Sequence, residues 1–318
     1  MKDLPIIRII GAGMAGLLAA NMLRRYRPIV YERQSSLPNN HHALLRFPTT
    51  AVSLATGIPF QRVLAHKGIW DGENVVNAPT IPLVNCYSRN ALRGAIENRS
   101  IWRMQPVEER WLAPRDFLEQ LALGAEIHYE STDALEGCES ATLSAFVSTI
   151  PLPVLLKMRA FASFMDGLEL KFDCLPIYVQ TAELDISPDV CQTIYNAGPD
   201  FSWYRATVQN SQAIVESTNV GSFLTDILDH IFNIGSGRVN STVQSHTQQF
   251  GKIRCSDHDA RRALIFQLTQ RFNVYSLGRF ATWRQILLDD VIQDVRRIEQ
   301  MIHSSPYHRQ LQASKIQK

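Results

Sequence analysis

One stretch near the start of the chain, residues 6–33, constrains the fold more than any other. It begins with an almost wholly apolar, β-branched run, IIRII, of the kind that forms a buried parallel strand. The run leads directly into the spacing Gly11-x-Gly13-x-x-Gly16, and an apolar helix pattern follows the glycines. A second short strand, residues 28–31, ends in an acid, Glu32. This order predicts a strand–helix–strand unit with a parallel pair of strands.

Each glycine of the motif has its own physical reason. Gly11 permits the tight turn, Gly13 lets the backbone approach a pyrophosphate, and Gly16 lets the helix lie close on the strand. The helix N-terminus offers free N–H groups and a partial positive charge to phosphates. Glu32 lies about 20 residues on, where a carboxylate accepts both hydroxyls of an adenosine ribose. The alternative is a glycine turn without a ligand, but this combination favours a Rossmann-like site for an adenine dinucleotide.

The composition is that of an ordinary globular protein. The 318 residues are 45% hydrophobic and 19% charged, and the net charge of +2 argues neither for nor against a polyanionic partner. No apolar run approaches the length of a membrane span, and the first strand begins too early to leave room for a signal peptide. Five cysteines without CxxC spacing disfavour a disulfide framework or zinc site and favour a reducing, cytoplasmic setting: Cys86, Cys138, Cys174, Cys191 and Cys255.

The middle of the chain predicts an α/β fold with a second, antiparallel β layer. A helix from Pro114, ended by Gly124, and strands over 125–129 and 144–150 continue the first sheet, and an apolar helix over 154–164 follows. Turn residues then separate four further strands and one amphipathic helix, at 172–181, 191–196, 201–208, 212–217 and 223–232. We expect this layer to be an inserted α+β substrate domain that covers the dinucleotide.

The end of the chain predicts one more strand and a long helix. Residues 272–277 (FNVYSL) have a strand pattern, and Gly278-Arg279 lies between this strand and the helix. Asp289 and Asp290 fall in the early part of the helix, and we expect the basic tail beyond Glu299 to be frayed. The predicted apolar face consists of Ile286, Leu287, Val291, Ile292, Val295, Ile298, Met301 and Ile302.

Three motifs have an order and spacing that resemble a known superfamily: Glu32-Arg33, the Ser-Thr-Ile-Pro at 148–151, and Gly278-Arg279 before the last helix. They are similar to those of FAD-dependent oxidoreductases with the glutathione-reductase-like FAD fold, in particular the amine oxidase and UDP-galactopyranose mutase branch. The resemblance implies FAD as the cofactor and a discontinuous FAD-binding domain. That domain would comprise residues 1–70, 100–160 and 262–318, and the substrate or cap domain would comprise residues 71–99 and 161–261.

The same resemblance implies roles for individual residues. Gly278, followed by Arg279, would pass close to the ribityl chain, and the last helix would direct its positive N-terminus at the flavin pyrimidine edge. The chain departs from the pattern because residues 37–42 replace an arginine and double-glycine loop. Arg279 also stands where many members carry an acid, although it agrees with the mutase branch. The implied pyrophosphate and ribose contacts are Gly11, Ala12, Gly13, Met14, Ala15 and Gly16, then Glu32 with Arg33 beside it.

Three stretches look like those of short flavoproteins encoded by tailed bacteriophages: NNHHALLRFPT, GIPFQRV and YSLGRFATWRQILLDDVIQDV. This likeness implies an amine substrate, such as an amino acid attached to a modified thymidine in DNA or a nucleotide. The implied reaction is hydride transfer from the amine to flavin N5, imine hydrolysis and C–N cleavage. We expect O2 to reoxidise the flavin, because Gly235-Ser236-Gly237 lacks the strand and acid of a second dinucleotide site.

Six residues are candidates for substrate contact: Arg46, Trp203, Tyr204, Arg205, Arg279 and Trp283. Arginines suit a carboxylate or phosphate, and aromatics suit the flavin face or a base. The predicted catalytic set is Arg46, Tyr204, Arg279 and Trp283, and Arg46 is also a predicted phosphate or flavin contact. The alternatives are a surface role for Arg46 and core packing for the residues of the β layer. His41 or His42 could move a proton, although loop histidines seldom do.

Two other functions remain open on these residues. One is a redox-neutral flavin mutase of the UDP-galactopyranose mutase type, which Arg279 favours by likeness and the short chain disfavours. The other is a non-catalytic protein that keeps FAD or NAD as a structural ligand, since a complete phosphate-binding loop is compatible with either role.

Overall fold

The computed structural model of this chain describes residues 5–38, 44–96, 100–132, 134–135, 144–158, 161, 171–186, 191–199, 203–221, 223–240, 242–255 and 257–305. Within these residues the strands are β1 Ile6–Ile10, β2 Ile29–Tyr31, β3 Arg46–Phe47, β4 Gln61–Trp70, β5 Val75–Val76, β6 Val107–Leu112, β7 Glu126–His128, β8 Ser144–Ser148, β9 Phe172–Glu183, β10 Cys191–Asn196, β11 Arg205–Gln209, β12 Gln212–Ser217, β13 Gln244–Cys255 and β14 Val274–Ser276. The helices are α1 Met14–Met22, α2 Ala51–Thr56, α3 Ile81–Leu92, α4 Phe117–Ala122, α5 Leu152–Leu155, α6 Leu224–Phe232, α7 His258–Phe272, α8 Gly278–Ala281 and α9 Leu288–Ser304.

Five strands form a parallel sheet in the order β14–β8–β1–β2–β7. Strand β1 lies at its centre, where Arg8 pairs with Ile29 on one side and Phe146 on the other. Helices cover both faces of the sheet, so the strands are apolar on both sides and the run IIRII shows no alternation. The predicted strand–helix–strand unit is confirmed, since β1, α1 and β2 follow one another as expected.

Two hydrophobic cores sandwich this sheet. On one face α1, α4 and α9 pack together, and Leu17, Phe117 and Ile292 are at most 1% exposed. On the other face α5 and α7 pack against Phe146, with Leu268 of α7 fully buried. The result is a three-layer α/β/α domain whose glycine loop lies at the carboxyl end of the central strand, where α/β proteins bind their ligands.

The second sheet has the order β13–β9–β12–β11–β10–β4–β6–β3, and β5 pairs with β4. Its neighbours are antiparallel, apart from β4 and β10, which run parallel. Helix α6 packs on one face through Leu224 and Leu228. Helix α3 packs on the opposite face through Tyr87 and Ala91, and the polar side chains of the candidate site share that face. The expectation of an α/β domain joined to a predominantly antiparallel β domain is confirmed.

The second sheet contains more of the chain than the predicted domain boundaries assign to it. Strands β3, β4 and β6 belong to it, although residues 1–70 and 100–160 were assigned to the FAD-binding domain. The physical reason is a pairing between distant segments, since Cys191 of β10 lies opposite Ala65 of β4. A local pattern of apolar residues identifies a strand but does not reveal which sheet it joins.

Most other predicted elements are confirmed, with three corrections. Strand β13, helix α7 and the strands and helices between residues 46 and 112 were not predicted. Strand β13, for example, alternates polar and half-buried side chains at an edge of the sheet. Helix α9 buries Val291, Ile292, Val295, Ile298 and Ile302, but Leu287 and Met301 are 67% and 43% exposed and lie off that face. Of the helix predicted over 154–164, the described part is α5 with the turn after it, and the tail from residue 306 lies outside the described residues.

Candidate functional site

The glycine loop between β1 and α1 has the backbone shape that its sequence requires. Gly11 has a φ of +100°, a conformation that residues with a side chain rarely adopt, and its N–H donates to the carbonyl of Tyr31 at 2.7 Å. A Cβ atom on Gly16 would lie 1.9 Å from the carbonyl oxygen of Gly11. The protein itself therefore requires glycine at both positions, one for the turn and one for the contact between helix and loop.

Gly13 has a different environment. A Cβ atom at Gly13 would meet no atom of the described residues within 4 Å. Gly13 is also the N-cap residue of α1, makes no side-chain cap, and is followed by a first turn without an acidic residue. The first N–H groups of a helix have no partner within the helix, so this open space suits a phosphate group.

Glu32 connects the loop to the end of β2. Its side chain is buried, with 8% of the residue exposed, and its two oxygens accept from Ala12 N–H at 2.8 Å and Gln34 N–H at 3.0 Å. A carboxylate has about four acceptor positions, so these two bonds leave capacity for ribose hydroxyls. Arg33, next to it, is exposed. The structure therefore brings the predicted acid to the predicted loop.

The C-terminal segment also reaches the loop, through Gly278. This residue has a φ of +86°, and a Cβ on it would lie 2.7 Å from the Cβ of Ala15 in the first turn of α1. The side chain of Arg279 points to the second sheet instead, because its guanidinium donates to the carbonyl of Gly251 in β13 at 2.8 Å. The guanidinium also lies near the Phe280 ring. Gly278 thus lies at the predicted site, and Arg279 links α8 to the second sheet.

A cavity of about 270 Å³ lies between the glycine loop and the second sheet. Gln209 is the notable polar group of its wall, because it is 2% exposed and neither atom of its amide has a hydrogen-bond partner among the described residues. A buried amide without partners is costly unless a ligand or water satisfies it. The wall includes Met14 of α1, Leu44, Leu45, Leu112, Phe117, Thr181 and Gln212.

Arg46 follows directly after two residues of the cavity wall. Its Nη2 donates to Thr193 Oγ1 at 2.7 Å, and its Nη1 contacts the thiol of Cys191. Among the described residues no carboxylate forms an ion pair with this guanidinium. Arg46 therefore presents a positive charge on the second sheet beside the cavity, as a substrate or cofactor contact requires.

Tyr204 and Arg205 surround one buried carboxylate, Glu216. Arg205 Nη2 donates to Glu216 at 2.7 Å, its Nε donates to the other oxygen, and the Tyr204 hydroxyl donates at 3.2 Å. Burial alone would raise the pKa of Glu216, but the charge and hydrogen bonds of Arg205, with smaller contributions from Lys252 and Tyr204, together outweigh it, and the net direction is downward. Burial raises the pKa of Tyr204 well above its usual value. Since Tyr204 is 1% exposed, its place is within this network and not on the cavity wall.

The two tryptophans singled out from the sequence are core residues. Trp283 is 2% exposed, packs edge-on against Phe172 and donates its indole N–H to the carbonyl of Arg254 at 2.7 Å. Trp203 is 5% exposed and packs with α6 on the other face of the second sheet. These positions give both tryptophans a packing role. His41 and His42 lie outside the described residues.

Four polar residues near the cavity were not among the candidate site residues: Lys67, Glu108, Arg110 and Gln209. The first three lie on adjacent strands β4 and β6 and form ion pairs with one another. A usable signal was present in the pattern of β6, VEERWL, where charged residues fall on both faces of one strand. One charged face of such a strand must lie against other elements of the fold, and charges placed there need partners or a ligand.

Among the described residues, no group of three or more His, Cys, Asp and Glu side chains lies close enough together to hold a metal ion. None of the helices in this part of the chain is both long and apolar enough to cross a membrane.

No protein-family model matches the sequence, and no curated protein matches it significantly. Solved structures match the fold over most of their length. Reduced UDP-galactopyranose mutase is 14% identical, with a TM-score of 0.61 over 95% of this chain and 96% of that one. CLA-producing fatty acid isomerase from P. acnes is 12% identical, with a TM-score of 0.59 over 94% and 99%. The tetrameric form of 2-methyl-3-hydroxypyridine-5-carboxylic acid oxygenase is 12% identical, with a TM-score of 0.53 over 98% and 86%. The fold of this chain is that of the Rossmann-type flavoproteins.

Proposed function

We propose that this chain is a flavoenzyme that binds FAD at the loop between β1 and α1 and oxidises an amine. The observation that carries the proposal is the environment of Gly13, which leaves open space at an uncapped helix N-terminus. The buried Glu32 carboxylate beside that space and the fold shared with flavoproteins support FAD as the ligand.

The residues present fit this cofactor. Gly11 to Gly16, with Ala12, Met14 and Ala15 between the glycines, would hold the pyrophosphate through backbone N–H groups. Glu32 would accept the ribose hydroxyls, with Arg33 exposed next to it. Gly278 would support the cofactor from the opposite side, because its backbone lies against Ala15. The unpartnered amide of Gln209 offers one donor and one acceptor at the cavity wall.

FAD, when bound, supplies an acceptor for two electrons. The amine loses two electrons and two protons to become an imine, water then cleaves the imine to a carbonyl compound and a free amine, and O2 takes up the electrons as H2O2. The part of this chain is to orient the substrate, and Arg46 suits that role because no carboxylate of the described residues neutralises it. Arg279, Tyr204 and Trp283, the rest of the predicted catalytic set, would act by holding the sheet and core in place.

The finer proposal concerns the substrate. We propose an amine that carries an anionic group, and as its biological form an amino acid attached to a modified thymidine in phage DNA. The support for the biological form is the likeness of residues 39–49, 57–63 and 275–295 to phage-encoded flavoproteins. The support for an anionic group is the uncompensated Arg46 near the cavity.

The experiment is anaerobic mixing of the purified protein with amines. We expect a yellow protein that releases FAD on denaturation, loses its visible absorption with N-substituted amino acids, and forms H2O2 when oxygen returns. Activity that requires prior reduction by dithionite and a sugar nucleotide would replace amine oxidation with a mutase reaction. A protein that binds FAD and is bleached by no amine would act as a binding protein. A colourless protein carrying NAD would overturn the flavin assignment itself.

A further inference from the structure

A group of charged side chains on the second sheet is not accounted for by cofactor binding. We call it the basic cluster: Arg46 of β3, Lys67 of β4, Glu108 and Arg110 of β6, and Arg205 of β11. Strand pairing places all of them on one face of the sheet, because Arg46 lies opposite Leu112, Glu108 opposite Ala65, and Thr193 opposite both Lys67 and Thr207.

The charges of the basic cluster do not balance. Lys67 Nζ lies 2.7 Å from the Glu108 carboxylate, and Arg110 pairs with the same carboxylate. Arg205 has its own partner in Glu216. Four cations therefore share two carboxylates, Glu108 and Glu216, which gives these six residues a net charge of +2, and Arg46 is the cation without a carboxylate partner among the described residues. Lys67 is 13% exposed at its side chain, so solvent screens this excess only partly.

The proton affinity of Lys67 agrees with this imbalance. Burial lowers the pKa of Lys67 to about 8, and the neighbouring charges of Arg110, Arg46 and Arg205 lower it in the same direction. The shift persists although Glu108 lies within ion-pair distance. Burial is the largest cause of this fall in pKa, and the three guanidinium charges add to it; a bound anion would offset the part that comes from these charges.

The basic cluster lies next to the candidate cofactor cavity. Leu112 and Gln209 both line that cavity. Arg110 lies two residues before Leu112 on β6, and Thr207 lies two residues before Gln209 on β11. The hydroxyl groups of Thr207 and Thr193 form a hydrogen bond of 3.0 Å. Alternate residues of a strand share a face and are about 7 Å apart. Arg110 of the basic cluster therefore lies one alternate residue beyond the cavity wall, on the same face of the sheet.

We propose that the basic cluster is a subsite for an oxyanion of the substrate, a carboxylate or a phosphate, with Arg46 and Lys67 as its main donors. The proposal rests on the proposed function, since it names the anionic group of the amine that FAD would oxidise. Arg46 offers a planar guanidinium that suits a bidentate contact, and Lys67 offers a point charge. The net excess of two positive charges matches one dianion, or one monoanion with residual positive charge.

The test is calorimetric titration of the purified full-length protein, with its bound FAD, with sodium acetate and with sodium sulfate at constant ionic strength. Acetate represents a carboxylate and sulfate represents a phosphate, and neither titrates above neutral pH. We expect Lys67→Met and Arg46→Gln each to weaken binding by about tenfold or more, since each removes a charge-assisted hydrogen bond. Tighter binding of one probe in the wild type identifies the class of oxyanion.

Arg62→Gln is the matched control. Arg62 lies on the same strand as Lys67 but on the opposite face, and it pairs with Glu109 as Lys67 pairs with Glu108. We expect this variant to bind both anions as the wild type does. Equal loss in the Arg62 variant, or unchanged binding in both cluster variants, would overturn the proposal. Heats of binding do not depend on flavin reduction, so failure of amine oxidation and failure of this subsite are separate results.

A pH series on the wild type tests the same proposal without any substitution. Since the pKa of Lys67 is about 8, the protonated fraction falls about tenfold from pH 7 to pH 9, and anion affinity should fall with it. In Lys67→Met the affinity should not change over this range, whereas a flat wild-type profile would contradict the assignment. Burial raises the pKa of the Cys191 thiol, so burial opposes its ionisation in this window. The charged and titratable groups that face Lys67 are Glu108, Arg110, Arg46, Cys191, Tyr195 and Arg205.

Discussion

Replacing Gly16 with alanine is expected to abolish FAD binding and to destabilise the fold. The new Cβ would lie 1.9 Å from the carbonyl oxygen of Gly11, so α1 must move away from the loop. Overpacking of this kind costs about 1–3 kcal/mol of unfolding free energy. The movement also displaces the helix N-terminus that would hold the pyrophosphate. The flavin-to-protein ratio after gel filtration and urea unfolding of the same samples measure the two effects.

Gly13→Ala is the matched control for Gly16→Ala. Its Cβ would meet no described protein atom within 4 Å, and the φ of −73° at this position suits alanine. We expect the FAD-free protein to keep its stability to within about 1 kcal/mol, the usual difference between N-cap residues. FAD binding should nevertheless be lost, because the methyl group would occupy the space of the phosphate. Wild-type FAD affinity in Gly13→Ala would move the cofactor site away from this loop.

The nucleotide-binding half of the fold was predictable because its signals are local. Strand, glycine turn, helix and acid follow one another within residues 6–33, and each is a property of consecutive side chains. The contact of Gly278 with Ala15 joins distant segments and was predictable only through the resemblance to flavoproteins. The pattern of apolar residues alone predicts the strand and the helix on either side of Gly278, but it does not predict where they pack.

The second sheet was less predictable because its pairings are long-range. The parallel pairing of β4 with β10 puts residues 61–70 in this sheet, while their position in sequence suggested the other domain. The burial of individual side chains was hard to predict for a related reason. Tyr204 and Trp283 have the chemistry of a ligand pocket, but their burial depends on α3, β12 and β13, which a local pattern does not bring together. Lys67 and Arg110 were not among the candidate site residues because their excess charge arises only when β3, β4, β6 and β11 are side by side.

Two groups of charges on the same face of this sheet therefore have different roles. In the pair of Arg205 and Glu216 each charge has a close partner, and the Tyr204 hydroxyl also donates to the carboxylate. Arg46 and Lys67 lie where positive charge exceeds negative charge. Removing one member of a balanced buried pair leaves the other charge without its partner, whereas removing a cation from a group with excess positive charge reduces like-charge repulsion. This difference predicts opposite consequences of removing a cation from the two groups.

Arg205→Met is expected to be the most destabilising substitution on this face. It leaves the Glu216 carboxylate, 6% exposed, without its cation, and breaking a buried pair costs about 3–5 kcal/mol. Because Arg205 is 35% exposed, we expect the lower end of that range, measured by urea unfolding. Lys67→Met, in contrast, should leave stability unchanged or raised, since Glu108 keeps Arg110 as a partner.

The pH dependence and two controls identify the pair as the cause. Arg205 lowers the pKa of Glu216 in the folded state, so its stabilisation is full above the unfolded pKa of about 4.3 and is lost as pH falls below it. The difference in unfolding free energy between the wild type and Arg205→Met should therefore decrease towards pH 4, where the unpaired Glu216 carboxylate of the variant takes up a proton. Adding Glu216→Leu should recover much of the loss, and Arg238→Met, at an exposed pair with Asp185, should cost no more than about 1 kcal/mol. An equal loss in Arg205→Met and Arg238→Met would show that the Arg205 pair contributes no more than an exposed one.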